Sequence, residues 1–434
     1  MKSSAWLRET FTEHVENVRQ QFGPDAVDVR HELFYLHAGK SQMSAGVRAL
    51  AALLRDCWLL LRRTSADLNA PRPKQAILLT TLAGASGWST LKRALPTVLA
   101  AGYAPLVLLH PRLITDDVSP SLPCIRPAPP DLGAWRSALR VFIAALWQRQ
   151  PLLIASCLAR RVLWAASLRR TLKDRAGVVL LHNDFDLMSR AAIGQGLATI
   201  CVQHGIATDE FFPTQADHYL VWGDASRRVF EANDTSSTLL VEDALGRGEG
   251  LDNAAHAPQG IALLSQTHAQ VLGEGIGKAL AHFADELLHC VPDARILLHP
   301  QEGQPYSGAA ACATHRPPHP ELQPRGTLPQ LVVGYCSTAM LEAALAGHWI
   351  LTLHLELPGN RAVRQAMAAP LQAESAQQVA ILYTRLRDDP DFRQTMGQAQ
   401  NRWLRSHFTK HSNGLTHLLQ RLEQAKSEDS VAWR

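Results

Sequence analysis

Short apolar runs that alternate with helical stretches constrain this chain more than any other feature. AILLTT at 76–81, PLVLLH at 105–110, GVVLLH at 177–182, ATICVQHG at 198–205, HYLVWG at 218–223 and TLLVED at 238–243 read as strands buried on both faces. Helical patterns lie between them, as in LKRALPTVLAAG, which ends at Gly102, and in Leu187–Gly194. Residues 244–259 are rich in Gly, Ala and Asn, have no period and read as an interdomain linker. The alternation then restarts with GIALLSQ at 260–266, ARILLHP at 294–300, LVVGYCST at 331–338 and WILTLHL at 349–355, with a helix over about 274–289. Alternation on both sides of one linker predicts an α/β chain of two doubly wound, Rossmann-like parallel sheets. The expected units are 1–245, with helical 1–70 and basic helical 135–175, then 260–375, then C-terminal helices over 376–434. SPSLPCIRPAPPD at 119–131 is expected to lack regular structure.

A chain of 434 residues exceeds one ordinary core. Its 46% apolar and 6% aromatic content is that of a globular protein, and a net charge of +4 calls for no polyanion, so no nucleic-acid partner is expected. Seven cysteines are scattered singly, with no metal-like spacing, which reads as reduced thiols and a cytoplasmic location. The opening MKSSAWLRETFTEHVENVRQ has no apolar core, so no signal peptide is expected, and no apolar run is long enough to span a bilayer.

Residues 135–175 carry nine Arg and Lys against a single acid, Asp174, with Trp135, Trp147 and Trp164 interleaved and a break expected near Pro151. Arg with Trp on a helix suits an anionic membrane surface, so a peripheral position on the inner membrane is one expectation. A packed helix with a solvated basic face is the other.

In open parallel sheets, ligands bind beyond the carboxyl ends of the strands. His299-Pro300 follows ARILL, with the proline holding His299 extended, and an imidazole there can donate to a phosphate oxygen. A strand-end histidine satisfied by a backbone carbonyl is the structural alternative. Ser337 and Thr338, in GYCSTAMLEAALAG at 334–347, sit where a helix begins, and such a start favours an anion. Plain capping explains the same residues. Ser265, ending GIALLS, joins this edge, and Glu342 is placed to reach a ribose hydroxyl or to be solvated.

At the edge of the first sheet, Gln203-His204-Gly205 and the carboxylates Asp184 and Asp186 offer candidate general bases. The alternatives are a structural histidine and an N-cap for the helix from Leu187. Asp209 and Glu210 read as a solvated acidic pair or a divalent-ion site. LAGASGWST at 82–90 reads as a small-residue loop lacking the Walker and G-x-G-x-x-G spacings.

Three segments, VQHG at 202–205, LLHP at 297–300 and GYCSTAMLEAALAG at 334–347, together resemble bacterial GT-B glycosyltransferases of surface-polysaccharide synthesis. An HP motif paired with Ser-Thr is similar to the sialyltransferases, polysialyltransferases and Kdo transferases that use CMP-sugars. The resemblance covers roughly residues 75–360. It implies a GT-B fold and inverting transfer of a sugar such as Kdo or sialic acid from a CMP-linked donor to a capsule or lipopolysaccharide glycan, free or lipid-linked. His299, Pro300, Ser337 and Thr338 would hold the donor phosphate, and His204, Asp184 or Asp186 would be the base. No cofactor is required for such a displacement, and a divalent ion is compatible with it. Asn183-Asp184-Phe185-Asp186 stands where those sialyltransferases carry an Asp-Asp-Gly type of motif, which leaves the base open. The chain also looks like the teichoic-acid glycerophosphotransferases that use CDP-glycerol. UDP-GlcNAc 2-epimerases have a similar C-terminal domain, with Ser-Gly-Gly where this chain has Cys-Ser-Thr. A polysaccharide-assembly subunit without catalysis is the non-enzyme alternative.

Overall fold

The structure, a computed structural model, describes residues 10–37, 40–62, 74–82, 84–113, 122–242, 256–266, 271–273, 275–299, 314–315, 329–355, 359–409 and 413–432. Four helices come first: α1 (Phe11–Phe22), α2 (Pro24–Val27), α3 (Arg30–His37) and α4 (Gln42–Arg62). The first sheet then builds up from β1 (Gln75–Thr80), α5 (Ala85–Lys92), α6 (Leu95–Ala100), β2 (Ala104–Leu109) and β3 (Cys124–Ile125). The hairpin of α7 (Leu132–Trp147) and α8 (Leu152–Leu172) leads into β4 (Gly177–Leu181) and α9 (Leu187–Ala192). It closes with β5 (Ala198–Val202), a 3₁₀ turn (Asp209–Phe211), β6 (His218–Val221), α10 (Asp224–Glu231) and β7 (Thr238–Val241).

The second sheet holds β8 (Ile261–Leu264), α11 (Ile276–Cys290), β9 (Arg295–Leu297), β10 (Thr314–His315), β11 (Leu331–Gly334) and α12 (Thr338–Leu345). After these come β12 (Trp349–Leu353), α13 (Arg361–Ala366) and β13 (Leu371–Ala373). The chain ends in α14 (Ala376–Asp388), α15 (Pro390–His407) and α16 (Gly414–Ala432).

The strand orders are β3-β2-β1-β4-β5-β6-β7 and β10-β9-β8-β11-β12-β13, and every pairing is parallel. Both orders reverse direction once, between β1 and β4 and between β8 and β11, which opens a crevice at each carboxyl edge. Two Rossmann-like sheets in one chain are the GT-B arrangement.

Because side chains alternate along a strand, the first sheet buries two faces. Ile77, Leu79, Val179 and Leu181 pack toward α8 in one core that includes Trp164 and Leu168. Leu78, Val107, Val178 and Ile200 pack on the other face with Trp88 of α5 and with Leu415, Leu418 and Leu419 of α16. The last helix thus returns to the first sheet. The end of α15 also meets the first domain, at a glycine: a Cβ on Gly223 would lie 2.6 Å from the carbonyl oxygen of His407.

Two expectations fail. Cys124–Ile125 of the proline-rich segment pairs with Val107 and Leu108, because its carbonyls meet the open edge of β2. LAGASGWST is helical from Ala85, since Trp88 and Leu91 fall on one buried face at helical spacing. Residues 244–255 of the expected linker lie outside the described residues.

Candidate functional site

Histidines follow β2, β4, β5, β9 and β12 within two residues: His110, His182, His204, His299 and His354. Burial sorts them. His110 is buried and stacks on Trp164 with ring centroids 5.4 Å apart, and its Nδ1 accepts from the Arg112 amide. His182 is buried at the β1/β4 crevice. Its Nε2 meets Thr81 Oγ1 at 3.3 Å and the Asn183 amide nitrogen at 2.9 Å. Loss of solvation on burial pushes both imidazoles down to about 4. They are neutral framework groups rather than bases. Gly87 is explained by the same packing, since a Cβ there would come within 3.1 Å of the His182 ring.

His14 is also held at about 4 by burial. For these three groups the folded pKa lies below the unfolded 6.5, so the unfolded chain binds more protons between the two values. Their contribution is complete above pH 6.5 and is lost as pH falls toward 4. The expected result is a melting temperature that drops across this window, with a shallower drop in His182→Gln. An equal slope in that variant would remove His182 from the account.

His204 and His299 are half-buried and His354 is exposed. The His204 ring stacks on Phe211, with centroids 5.0 Å apart and planes 12° apart, and lies edge-on to His182 at 5.8 Å. Gln203 locks the strand end: its Oε1 accepts from the Trp222 amide, its Nε2 donates to the Gly205 carbonyl and its own carbonyl accepts from the Trp222 indole. Gln203 is therefore a brace for the His204-Gly205 loop, buried at 1% exposure, and not a ligand contact.

Gly205 brings the two sheets together. A Cβ on it would lie 3.5 Å from Thr338 Oγ1, so the loop after β5 faces the start of α12. Ser337 is the N-cap of that helix, accepting from the Ala339 amide at 3.3 Å, and Ser337, Thr338 and Glu342 are all half-buried along the same edge. At the β8/β9 ends, Ser265 Oγ accepts from the His299 amide at 2.8 Å, and across the β8/β11 crevice Gln266 Oε1 accepts from the Cys336 amide at 3.2 Å. Ser265, expected at the ligand, instead fixes the backbone of His299. Gln266 was not singled out in the sequence, because its role depends on a partner 70 residues away. Pro300 lies outside the described residues.

The carboxylates turn away from this edge. Asp184 has no exposed surface, and its Oδ2 accepts from the amides of Gln215 at 2.5 Å and Ala216 at 3.1 Å. Burial raises its pKa, while those amides and Arg30 act in the opposite sense. It clamps a loop and cannot meet an acceptor hydroxyl. Asp186 caps α9, with Oδ1 accepting from the Ser189 amide and Oδ2 from the Ser189 hydroxyl. Both oxygens are thus committed to the helix start.

Asp209 and Glu210 are not solvated either, being 5% and 7% exposed. Asp209 accepts from the Asn360 amide at 2.9 Å, the Ala362 amide at 3.1 Å and the Thr12 hydroxyl at 3.2 Å. The N-terminal helices, the first sheet and α13 of the second are joined through this one carboxylate. Glu210 accepts from Tyr35 at 3.1 Å and lies 3.6 Å from His31 Nε2. Among the described residues, no group of three or more His, Cys, Asp or Glu could hold a metal ion.

No family model matches this sequence, and no curated protein does so. Solved structures similar to the chain include an O-GlcNAc transferase variant from Thermobaculum terrenum, 15% identical over 96% of this chain and 79% of that one, with a TM-score of 0.41. Os79 of O. sativa in complex with UDP is 12% identical over 83% and 100% of the two chains, with a TM-score of 0.47. The spinosyn forosaminyltransferase SpnP is 14% identical over 81% and 99%, with a TM-score of 0.45. Likenesses this distant carry no argument about chemistry, and the fold rests on the two sheets themselves.

Proposed function

We propose that the chain is a glycosyltransferase that moves a sugar from a nucleotide-activated donor, CMP-linked, to a bacterial surface glycan. The observation that carries the reading is the approach of Gly205 to Thr338, which sets His204 of one sheet across from the phosphate-binding type of helix start in the other. The α12 amides and dipole favour a phosphate, Ser337 and Thr338 supply hydroxyl donors, and His299 offsets charge on the departing nucleotide. Glu342, one turn into α12, is the group for a ribose hydroxyl. With Asp184 and Asp186 engaged elsewhere, His204 is the base for the acceptor hydroxyl. Its face-to-face packing on Phe211 holds the ring, and the residue is half-buried on the loop that faces Thr338. Proton removal on one side of the sugar and phosphate departure on the other is a direct displacement with inversion, for which no metal is needed.

A thermal-shift panel with CMP, CDP, UDP and GDP tests the donor. CMP and CDP are expected to raise the melting temperature most, reflecting about 2.7 kcal/mol at a hundred-fold excess over Kd. A larger shift with UDP or GDP overturns the CMP-linked donor. Stabilisation by none of the four overturns the nucleotide site.

A further inference from the structure

The helical layer of the first domain leaves an apolar surface uncovered. Of the thirteen large apolar side chains exposed among the described residues, ten lie on α4 and α7. On α4 they are Met43, Val47, Leu54, Trp58 and Leu61, which at 100° per residue fall within an arc of about 60°. On α7 they are Leu132, Leu139, Ile143, Leu146 and Trp147, the last 86% exposed, within an arc of about 100°. Single exposed Leu or Trp residues are ordinary, but two full stripes on helices that both pack on α8 are not.

The charge beside the stripes has one sign. Arg48 and Arg55 lie beside the α4 stripe, Arg55 also 3.8 Å from Asp56, while Arg136 falls within the α7 arc, Arg140 beside it and Arg149 just past the helix end, all exposed. The only acid inside α4, Asp56, is buried against Arg160, and the exposed acid of α7 is Asp131 at its N-cap. Both helices pack on α8, most of which is buried, so Trp164 and Arg160 of the basic segment expected over 135–175 turn inward, while Arg136, Arg140 and Arg149 and, at the far end, Arg169, Arg170 and Lys173 stay exposed.

The geometry points to docking of the α4–α7 face on an anionic lipid bilayer. Two amphipathic helices with Trp and Leu on one side and Arg alongside match the boundary between headgroups and acyl chains. Self-association on this face would set the same arginines against one another, which disfavours a second copy. Among the described residues no helix is long and apolar enough to cross a membrane, so the contact is peripheral.

The orientation is productive. Four residues separate α8 from the start of β4, so the C-terminal end of α8 lies at the amino edge of the sheet and its N-terminal end at the carboxyl edge. Trp147 at the hairpin turn, and α4 near Gly46, where a Cβ would sit 3.2 Å from Leu152, lie at that same end. The docked face therefore runs the length of the domain, from Trp58, Leu61 and Leu132 toward the amino edge to Met43, Val47 and Trp147 at the carboxyl edge that carries His204. In this it deepens the transferase reading by naming where the acceptor is held: at a lipid surface.

Flotation with vesicles of phosphatidylcholine, alone or with about a quarter phosphatidylglycerol, tests the surface without nucleotide or acceptor, so its failure leaves the transferase reading intact. Binding is expected with the anionic vesicles, weaker at high salt and reduced roughly ten-fold or more in Trp58→Glu/Trp147→Glu. Arg136→Ser/Arg140→Ser, at fully surface positions, is expected to lower anionic binding while leaving the melting temperature unchanged. The proposal is overturned if wild type does not float with anionic vesicles at low salt. It is equally overturned if both variants float as wild type does, or if light scattering finds a dimer that the tryptophan variant dissociates.

Discussion

Alanine at His204 is expected to lower turnover by about 10²–10⁴-fold, the range that a positioned general base contributes. The assay is release of nucleotide from the donor that the thermal-shift panel selects, in the presence of acceptor. KM for the donor is expected to change little, because the proposed donor groups, His299 with Ser337 and Thr338, belong to the other sheet. Two features fit the ring for the proposed role of base. Stacking on Phe211 fixes its plane. Gln203, bonded three ways around Trp222 and Gly205, fixes the backbone from which it projects. His204→Gln keeps the size and a hydrogen-bonding edge but cannot accept a proton at neutral pH, so it is expected to resemble the alanine variant. Normal turnover in both variants would remove His204 from the chemistry. Asp186→Ala is a useful contrast. Losing a cap costs about 1 kcal/mol of stability, and turnover is expected to persist.

Most strands were legible because a parallel strand covered on both faces must be apolar throughout, and GVVLL, ATICV and LVVG have no other use. The shortest strands were not, since Cys124–Ile125 and Leu371–Ala373 are strands only through their neighbours. Histidines after strands were equally legible, but which of them face the cleft was not. His182 and His299 both follow an LL pair, yet one lies under α5 and the other at an open edge. The carboxylates misled for a related reason. Position after a strand places Asp184 at the correct edge, but its partners, the Gln215 and Ala216 amides and Arg30, come from distant segments. Asp209 looked solvated because its partner, the start of α13, lies some 150 residues away in sequence. Local pattern encodes elements, whereas the site depends on contacts that close long loops.

The largest effect on stability is expected at Asp56. This carboxylate is 2% exposed and its Oδ2 accepts from Arg160 Nε at 2.7 Å and from the Trp164 indole at 2.9 Å, tying α4 to α8. Arg160 is itself 8% exposed. Asp56→Ala leaves a guanidinium in the core without its hydrogen-bonded carboxylate, with the charge of Glu32 still acting on it, and an indole N–H without its acceptor, and breaking such a pair costs about 3–5 kcal/mol. A fall of that size is expected in the unfolding free energy, read from denaturant midpoints at unchanged slope. The penalty comes from the stranded charge, not from loss of a favourable bond. Asp56→Ala combined with Arg160→Met should therefore recover much of it, since a matched apolar pair in a buried site is often neutral. If the double variant is no more stable than Asp56→Ala, the stranded-charge account fails and the indole bond becomes the dominant loss. Since α4 carries one side of the apolar face and is tied to α8 through Asp56, the single variant is also expected to expose core surface there, whereas the double variant keeps the face in register.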